Sequence, residues 1–524
     1  MEEPEAIYNS LMTVANLEGL ASGKALSHIA DLTDLSLDLR KLGGLQHSIK
    51  LSEELQKREL GSEQRALSHY FLANAYANLR KLTKAHTTKS WDWEQEEIEK
   101  EIYHLRTALK AGLQALPKER LCQVLTNLGN LMDEIGRFVE AIEYWEKALG
   151  ELPSFSMAIG NRGFGLYYYA GSLYDSGHAA VFLKRAHDDL GKALSSEELH
   201  PGAREAFTNH KKFIDSALSK MAISGEIDLN SFSLGDSEEE IRYRRWCLDN
   251  RLFLNPLNDL GPFPIGARDV LSTPSIVVKI SEGPYYPGYF NQMKQEFVSA
   301  RYLYYEGINP ERGHFSDKAV LLFNTLDYPS YSLAVEKMKA SFRAAYSLLD
   351  KIAYFLNHYL QLSIPEKQVS FRTFWYEAQT KKNGLRKDFQ QRRNWPLRGL
   401  FWLSKDLYED KPGFKESIEP DAQELNDIRN HLEHKYLKIH EDLWPGPPAH
   451  DDEISRALAD TLAFSIYRQD FKEKTLRLIK MARAALIYLS LAIHSEERKR
   501  AKERGRDVFI PGMPMDVWED DWKV

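Results

Sequence analysis

Apolar positions recur every three or four residues through most of this chain, and that spacing predicts one amphipathic helix after another. Over 1–230 the helical period is interrupted only by short polar or glycine-containing stretches. Between 231 and 330 it fades: 236–240 is acidic, and Pro256, Pro262, Pro264, Pro274, Pro284 and Pro287 crowd together. Here Ser275-Ile276-Val277-Val278-Lys279-Ile280 predicts a short strand or an extended packed segment. The aromatics Tyr285, Tyr286, Tyr289, Phe290, Phe297, Tyr302, Tyr304 and Tyr305 fit core or inter-domain packing better than base stacking. From Tyr331 the period of 3.6 returns. It predicts a long helix over 334–362, shorter ones over 370–380 and 397–408, a helix over 421–441, and one helix or two in series over 454–502. The expected class is mostly α.

One stretch repeats a recognisable pattern. Leu125-x2-Leu128-Gly129-x2-Met132 is followed by Ala141-x3-Trp145, then Ala148 and Pro153. This resembles the tetratricopeptide (TPR) repeat, a helix–turn–helix unit of about 34 residues. Small residues such as Gly129 and Ala141 let paired helices approach, bulky ones fill the gaps, and Pro153 stops the second helix. Leu72-Ala73-x2-Tyr76 opens a similar unit, separated by an insertion over 86–96 from its second helix over 98–116. Gly163 with a helix over 179–194 suggests another, and 25–60 an N-terminal one. The resemblance implies a TPR-like α-solenoid over 1–230, with a groove for a protein or peptide partner. A generic helical bundle is the alternative.

At 524 residues the chain is too long for one ordinary core, so two or three domains are expected. The net charge of −7 means that any contact with nucleic acid must come from local basic patches. Cys122 and Cys247 are too few for a disulfide framework or a zinc site. Met1-Glu2-Glu3-Pro4-Glu5 lacks the pattern of a signal peptide, and the apolar run 484–493 falls short of a membrane span. A cytoplasmic protein with no membrane contact is expected. No phosphate-binding loop, dinucleotide fingerprint or metal-ligand cluster stands out, so neither a cofactor nor a metal is expected.

The candidate chemistry lies in Arg429-Asn430-His431-Leu432-Glu433-His434, followed by Lys435-Tyr436, between Pro420 and Pro445-Gly446-Pro447-Pro448. A guanidinium grips a phosphate with two hydrogen bonds, and an imidazole shuttles protons near neutral pH. Together they can cut RNA without a metal, the neighbouring 2′-OH serving as nucleophile. With 69 Lys+Arg and 16 His, chance alone supplies about one such spacing. Arg40…His47, Arg80…His86 and Arg204…His210 are near matches, but none has Asn, Asp or His directly after the Arg. Asp421 with Glu424 forms a capping box that would start the motif helix. On the helical wheel Leu425, Ile428, Leu432 and Ile439 make an apolar stripe, with Arg429 and Tyr436 at its edge. Arg429 and His434, five residues apart, are splayed by about 140°. Two copies across a two-fold axis would offset that splay. On the plain structural reading, Arg429 and Glu433 are an ordinary ion pair, while Asn430, His431, His434 and His440 are surface residues.

A late helix bearing Arg-x4-His-x-Tyr, within four to five helices over 331–505, resembles the HEPN superfamily, a helical-bundle fold whose active members are RNases. The resemblance implies that Arg429 binds the scissile phosphate, His434 carries the proton and Asn430 orients one or the other. The products would be a 2′,3′-cyclic phosphate and a 5′-OH, made at a composite site in a homodimer. It also implies that Tyr436 is a target for a partner nucleotidyltransferase antitoxin, since added phosphates beside His434 would repel substrate. The implied protein is a toxin-like or antiviral effector acting on RNA, with the TPR-like region as its sensor. The alternative is a non-catalytic TPR scaffold with a dimerising bundle. Lys381, Lys382, Arg386, Lys387, Arg392, Arg393 and Arg398, with Phe389 and Trp395 interleaved, are either an RNA-leading surface or a solvated face; 498–506 is a weaker version. The expected division is 1–230 repeats, 231–330 connector, 331–510 bundle and 511–524 tail.

Overall fold

A computed structural model describes residues 3–523 apart from 86, 222–226, 280–281, 311–312, 324, 326, 409–421, 442–459, 461 and 506–511. The chain is mostly α, as its periodicity predicts. Three short helices, α1 (Pro4–Met12), α2 (Ser22–Asp38) and α3 (Leu42–Leu55), enclose a small core of their own around Ile29, Leu32 and Leu51. Helical hairpins follow: α4 (Ser62–Lys84) with α5 (Glu96–Gly112), α6 (Lys118–Glu134) with α7 (Phe138–Glu151), and α8 (Ser156–Ser172) with α9 (Ser176–Leu194). Helix α10 (Pro201–Lys220) packs on α9.

The stacking rests on where glycine permits contact. A Cβ at Gly129 of α6 would lie 2.5 Å from Nε1 of Trp145 on α7. The far edge of the same indole presses on Gly165 of α8, while its Nε1 donates to Asn130 Oδ1 at 3.0 Å. One buried tryptophan thus keys three consecutive helices together, and the close approach is open only to glycine.

The connector holds more helix than its prolines suggest. Helix α11 (Glu238–Asp249) leads through turns at Pro256–Leu260 and Pro264–Gly266 into an extended stretch over 268–279. Then α12 (Tyr285–Ile308) runs along α13 (Leu333–Tyr359), burying Phe290, Phe297 and Tyr304. The aromatics expected in packing are partly core, and α12 belongs with the bundle rather than with a connector ending at 330. Its start was obscured because Pro284 and Pro287 flank the first turn, where proline is tolerated.

The rest of the bundle is α14 (Lys387–Gln390), α15 (Trp395–Tyr408), α16 (Ala422–His434) and α17 (Arg468–Arg504), with two strands, β1 (Tyr436–His440) and β2 (Ala463–Tyr467). The helix expected over 370–380 is a run of tight turns instead, closed by a bridge between Tyr376 and Leu385. The helices expected over 421–441 and 454–502 are each interrupted by a strand. Tyr436 to His440 pairs in parallel with Ala463 to Tyr467, residue for residue. Leu432 and Ile439 are seven apart, a spacing that keeps them on one face of a helix and so carries the helical pattern past the helix's real end. The alternating Leu437, Ile439 and Phe464, Ile466 were the overlooked signal. Asp421, Pro420 and 445–448 lie outside the described residues.

Helix α17, 37 residues long and so about 55 Å, is the spine against which α12, α13 and α15 pack. The hairpins are docked on this bundle, sharing one continuous core, rather than projecting as arms. Asp406 of α15 receives both Nη atoms of Arg106 at 2.7 and 3.0 Å and also binds Arg137, all three buried. Gly136, at φ +90°, sits in the α6–α7 turn directly on Gly399, where any side chain would strike backbone. The insertion before α5 serves the same seam: Trp93 is buried against Trp375, Phe389 and Phe401, and its Nε1 donates to the Arg392 carbonyl at 2.9 Å. His86, at its start, is outside the described residues.

Candidate active site

The motif occupies the last turns of α16. Leu425, Ile428 and Leu432 are buried and anchor the helix to α13 and α15, which leaves Arg429 and Asn430 half-buried and Glu433 and His434 exposed. Helix formation stops there because Lys435 N makes the final bond, to the His431 carbonyl at 3.2 Å, and Tyr436 enters the strand.

Arg429 turns toward the bundle. Its guanidinium lies 5.8 Å from the centre of the Tyr346 ring, and Nη1 donates to Asn430 Oδ1 at 3.1 Å. It also acts on Asp350, whose carboxyl is pushed up by burial and only partly drawn back by the Phe371 amide and Arg429. Asn430 therefore orients Arg429. His434 is one and a half turns further on, about 7.5 Å along the axis, and faces outward. Arg429 and Asn430 are brought together; His434 is not brought to them within this chain.

At the same end of α16 stands a group that no motif announced. Arg343, on α13, donates from Nη2 to the Leu432 carbonyl at 2.6 Å, and its Nε lies 3.6 Å from Glu433. It caps the C-terminal end of α16, where a cation complements the helix dipole, and brings a second guanidinium to the helix's last turn. Nothing in the sequence links residues 89 positions apart, so only the fold reveals it.

Tyr436 is 36% exposed, and its hydroxyl meets that of Tyr331 at 3.1 Å. Burial, then the hydrogen bond to Tyr436, pushes Tyr331 up to about 12. The Lys438 ammonium lies 5.4 Å from the Tyr436 ring. Burial opposes the charge on Lys438, but hydrogen bonds to Asp327 at 2.5 Å and Asp460 at 2.9 Å outweigh it and raise its pKa. The strand is thus fixed by ion pairs from the buried Lys438 to two partly exposed aspartates, immediately beside the exposed tyrosine.

The two histidines expected at the surface are not free there. His440 is buried in β1, its Nδ1 donating to the Asp327 carbonyl at 3.0 Å. His431 is half-buried, donating to the Asp427 carbonyl at 2.7 Å, with its ring on Phe464. Neither is exposed as His434 is.

The basic run divides. Lys381 donates to the Tyr408 carbonyl at 2.5 Å and faces a cavity lined by Glu94, Glu96 and Glu99. Arg386 donates to the Leu362 carbonyl, Arg392 pairs with Glu496 at 2.5 Å, and buried Arg398 donates to the carbonyls of Asp92 and Glu134. These four hold the fold and the seam. Lys382, Lys387 and Arg393 are exposed. Among the described residues no group of three or more His, Cys, Asp or Glu is arranged to hold a metal ion, and no helix is long and apolar enough to cross a membrane.

Residues 277–496 match the family described as LA2681-like HEPN. The match begins in the extended stretch before α12 and ends within α17, so it takes in α12 and every bundle helix that surrounds the motif. No curated protein matches the chain.

Proposed function

We propose that the HEPN-superfamily domain in the C-terminal part of this chain is a metal-independent endoribonuclease. HEPN domains are generally RNases. The observation that carries the finer reading is the placement of Arg429, Asn430 and His434 at the end of α16, with the imidazole exposed. Arg429, oriented by Asn430, holds the scissile phosphate and the charge that grows on it. His434 takes the proton from the 2′-OH as that oxygen attacks phosphorus; an acid on the far side protonates the departing 5′-oxygen. The products are a 2′,3′-cyclic phosphate and a 5′-OH. Because one helix splays the two groups, the opposing acid comes from the His434 of a second copy in a homodimer. Arg343 adds positive charge at the same end of the helix.

On this reading the docked hairpins, TPR-like in pattern, sense a trigger or hold a protein partner. The chain then acts in the cytoplasm as a toxin-like or antiviral effector. Tyr436, exposed beside His434, is accessible to nucleotidylation by a nucleotidyltransferase antitoxin. The packing of Arg429 against Tyr346 favours a second reading, a non-catalytic scaffold in which the arginine only secures α16. Incubating single-stranded RNA with the full chain in EDTA separates the two. Cleavage with cyclic-phosphate ends supports the nuclease; intact RNA at all protein concentrations leaves the scaffold, and loss of cleavage restored by added metal points to another chemistry.

A further inference from the structure

Two cavities lie along α17, and their charges differ in kind. The one facing α5 and α7 holds Arg106, Arg137, Arg251, Lys480 and Arg483, but each is answered by a carboxylate: Asp406, Glu146, Glu143 or Asp259. Lys147 and Arg477 line it too, beside Glu140, Glu143 and Glu473, so cations and carboxylates are mixed there.

The other cavity is a groove of about 330 Å³ where the end of α8, the start of α15 and the last third of α17 meet. Arg393, Arg498, Lys499 and Lys502 line it, and no carboxylate does. Lys499 reaches Glu503 only at 3.9 Å, with both side chains more than half exposed. Arg498 donates to the Gly171 carbonyl at 3.1 Å. Arg393 and Lys502 form no ion pair among the described residues. Arg498 and Lys502 are four apart on one helix, and Lys499 and Lys502 three apart, so the cations repel one another in the free protein. The start of α15, capped by Asn394 Oδ1 on the Leu397 amide, adds the positive end of a helix dipole.

Along α17, His494, Arg498 and Lys502 form one row with steps of about 6 Å, comparable with the spacing of successive phosphates in an extended strand. A row of point charges beside backbone carbonyls, without an enclosed base pocket, suits a sugar-phosphate backbone. We infer that this groove binds the phosphates of single-stranded RNA, as an auxiliary contact remote from the cutting site; the inference rests on the nuclease reading. From Arg468, where β2 delivers the chain to α17, to Arg498 is about 45 Å of helix. An extended strand, at about 6 Å per nucleotide, must therefore exceed roughly eight nucleotides to span that length of helix.

The test is fluorescence anisotropy with a uridine 20-mer and 6-mer, on full-length His434→Ala protein so that nothing is cut. Arg393→Gln with Lys502→Gln should weaken 20-mer binding about tenfold at physiological salt. It should lower the salt slope by about 1.4, since each lost single-strand phosphate contact removes about 0.7. The 6-mer should tell the two proteins apart far less. Lys50→Gln with Lys57→Gln, exposed on α3 and in the turn that follows it, should change nothing. Unchanged 20-mer affinity in the groove variant, or an equal loss in both pairs, overturns the inference. If wild type cuts RNA yet the groove variant binds normally, only the groove falls; if wild type neither cuts nor binds, the nuclease reading falls with it.

Discussion

At the scale of single residues, Arg429 and His434 differ in what they owe the fold. His434 is exposed and makes no hydrogen bond among the described residues, so His434→Ala should abolish cleavage, by 10²-fold or more, with an unchanged melting temperature. Arg429 lies over Tyr346, so Arg429→Ala should abolish cleavage and also cost roughly 1 kcal/mol of stability, read by urea unfolding. Wild-type cleavage by either variant removes that residue from the mechanism. A second residue reports on the seam. Asp133 Oδ1 is buried without a hydrogen-bond partner, and burial, then Glu134, pushes the carboxyl up to about 7. The folded state therefore holds a proton that the unfolded chain, at its ordinary 3.8, has already released. Between those values stability falls as pH rises. Asp133→Asn should raise the melting temperature at pH 8 and change it little at pH 4; the reverse order would show that the carboxylate is stabilised by a charge it does not visibly contact.

At the scale of elements, glycine placement separates what could be read from what could not. Gly129, Ala141 and Trp145 stood out as a repeat because tight helix pairing demands small and large residues at fixed spacing, and α6 and α7 use them so. Gly129→Val should destabilise the protein by about 1–3 kcal/mol, because the indole that would have to move is wedged against Gly165 as well. A calorimetric scan within a degree of wild type would show that Trp145 is not so confined. The end of α16 was less legible. Leu432, Ile439 and Tyr436 satisfy a helical wheel, and only pairing with Ala463 to Tyr467, more than twenty residues on, makes 436–440 a strand. Sheet pairing is non-local, so a single segment does not declare it. Arg343 and the fate of the basic run were hidden for the same reason: what a cation does depends on whether the fold brings a carboxylate, a carbonyl or open solvent beside it.

At the scale of the whole molecule, the hairpins and the bundle are welded through Asp406, Gly136, Gly399 and the buried Trp93, so any signal received by the hairpins arrives at α15 and α17 directly. It also means that a fragment starting at 331 would lose α12 and expose the face that α5 to α8 cover, so assembly has to be measured on the full chain. The expected state is a two-fold dimer in which the ends of the two α16 helices face each other. Within one chain Arg429 turns inward over Tyr346 while His434 points out about 140° away, so a single copy presents an exposed imidazole without the opposing acid that in-line cleavage requires. Two-fold symmetry supplies the second imidazole, and with it a second Arg343 and Arg429, at no further cost in sequence. Light scattering should give about twice the 60.4 kDa chain mass. Mixing wild type with excess His434→Ala protein, after time for subunit exchange, should depress cleavage below simple dilution, because every mixed dimer lacks one of its two proton carriers. Activity proportional to the wild-type fraction, or a fully active monomer, would rule out the shared site and return the search for the second proton carrier to groups within one chain.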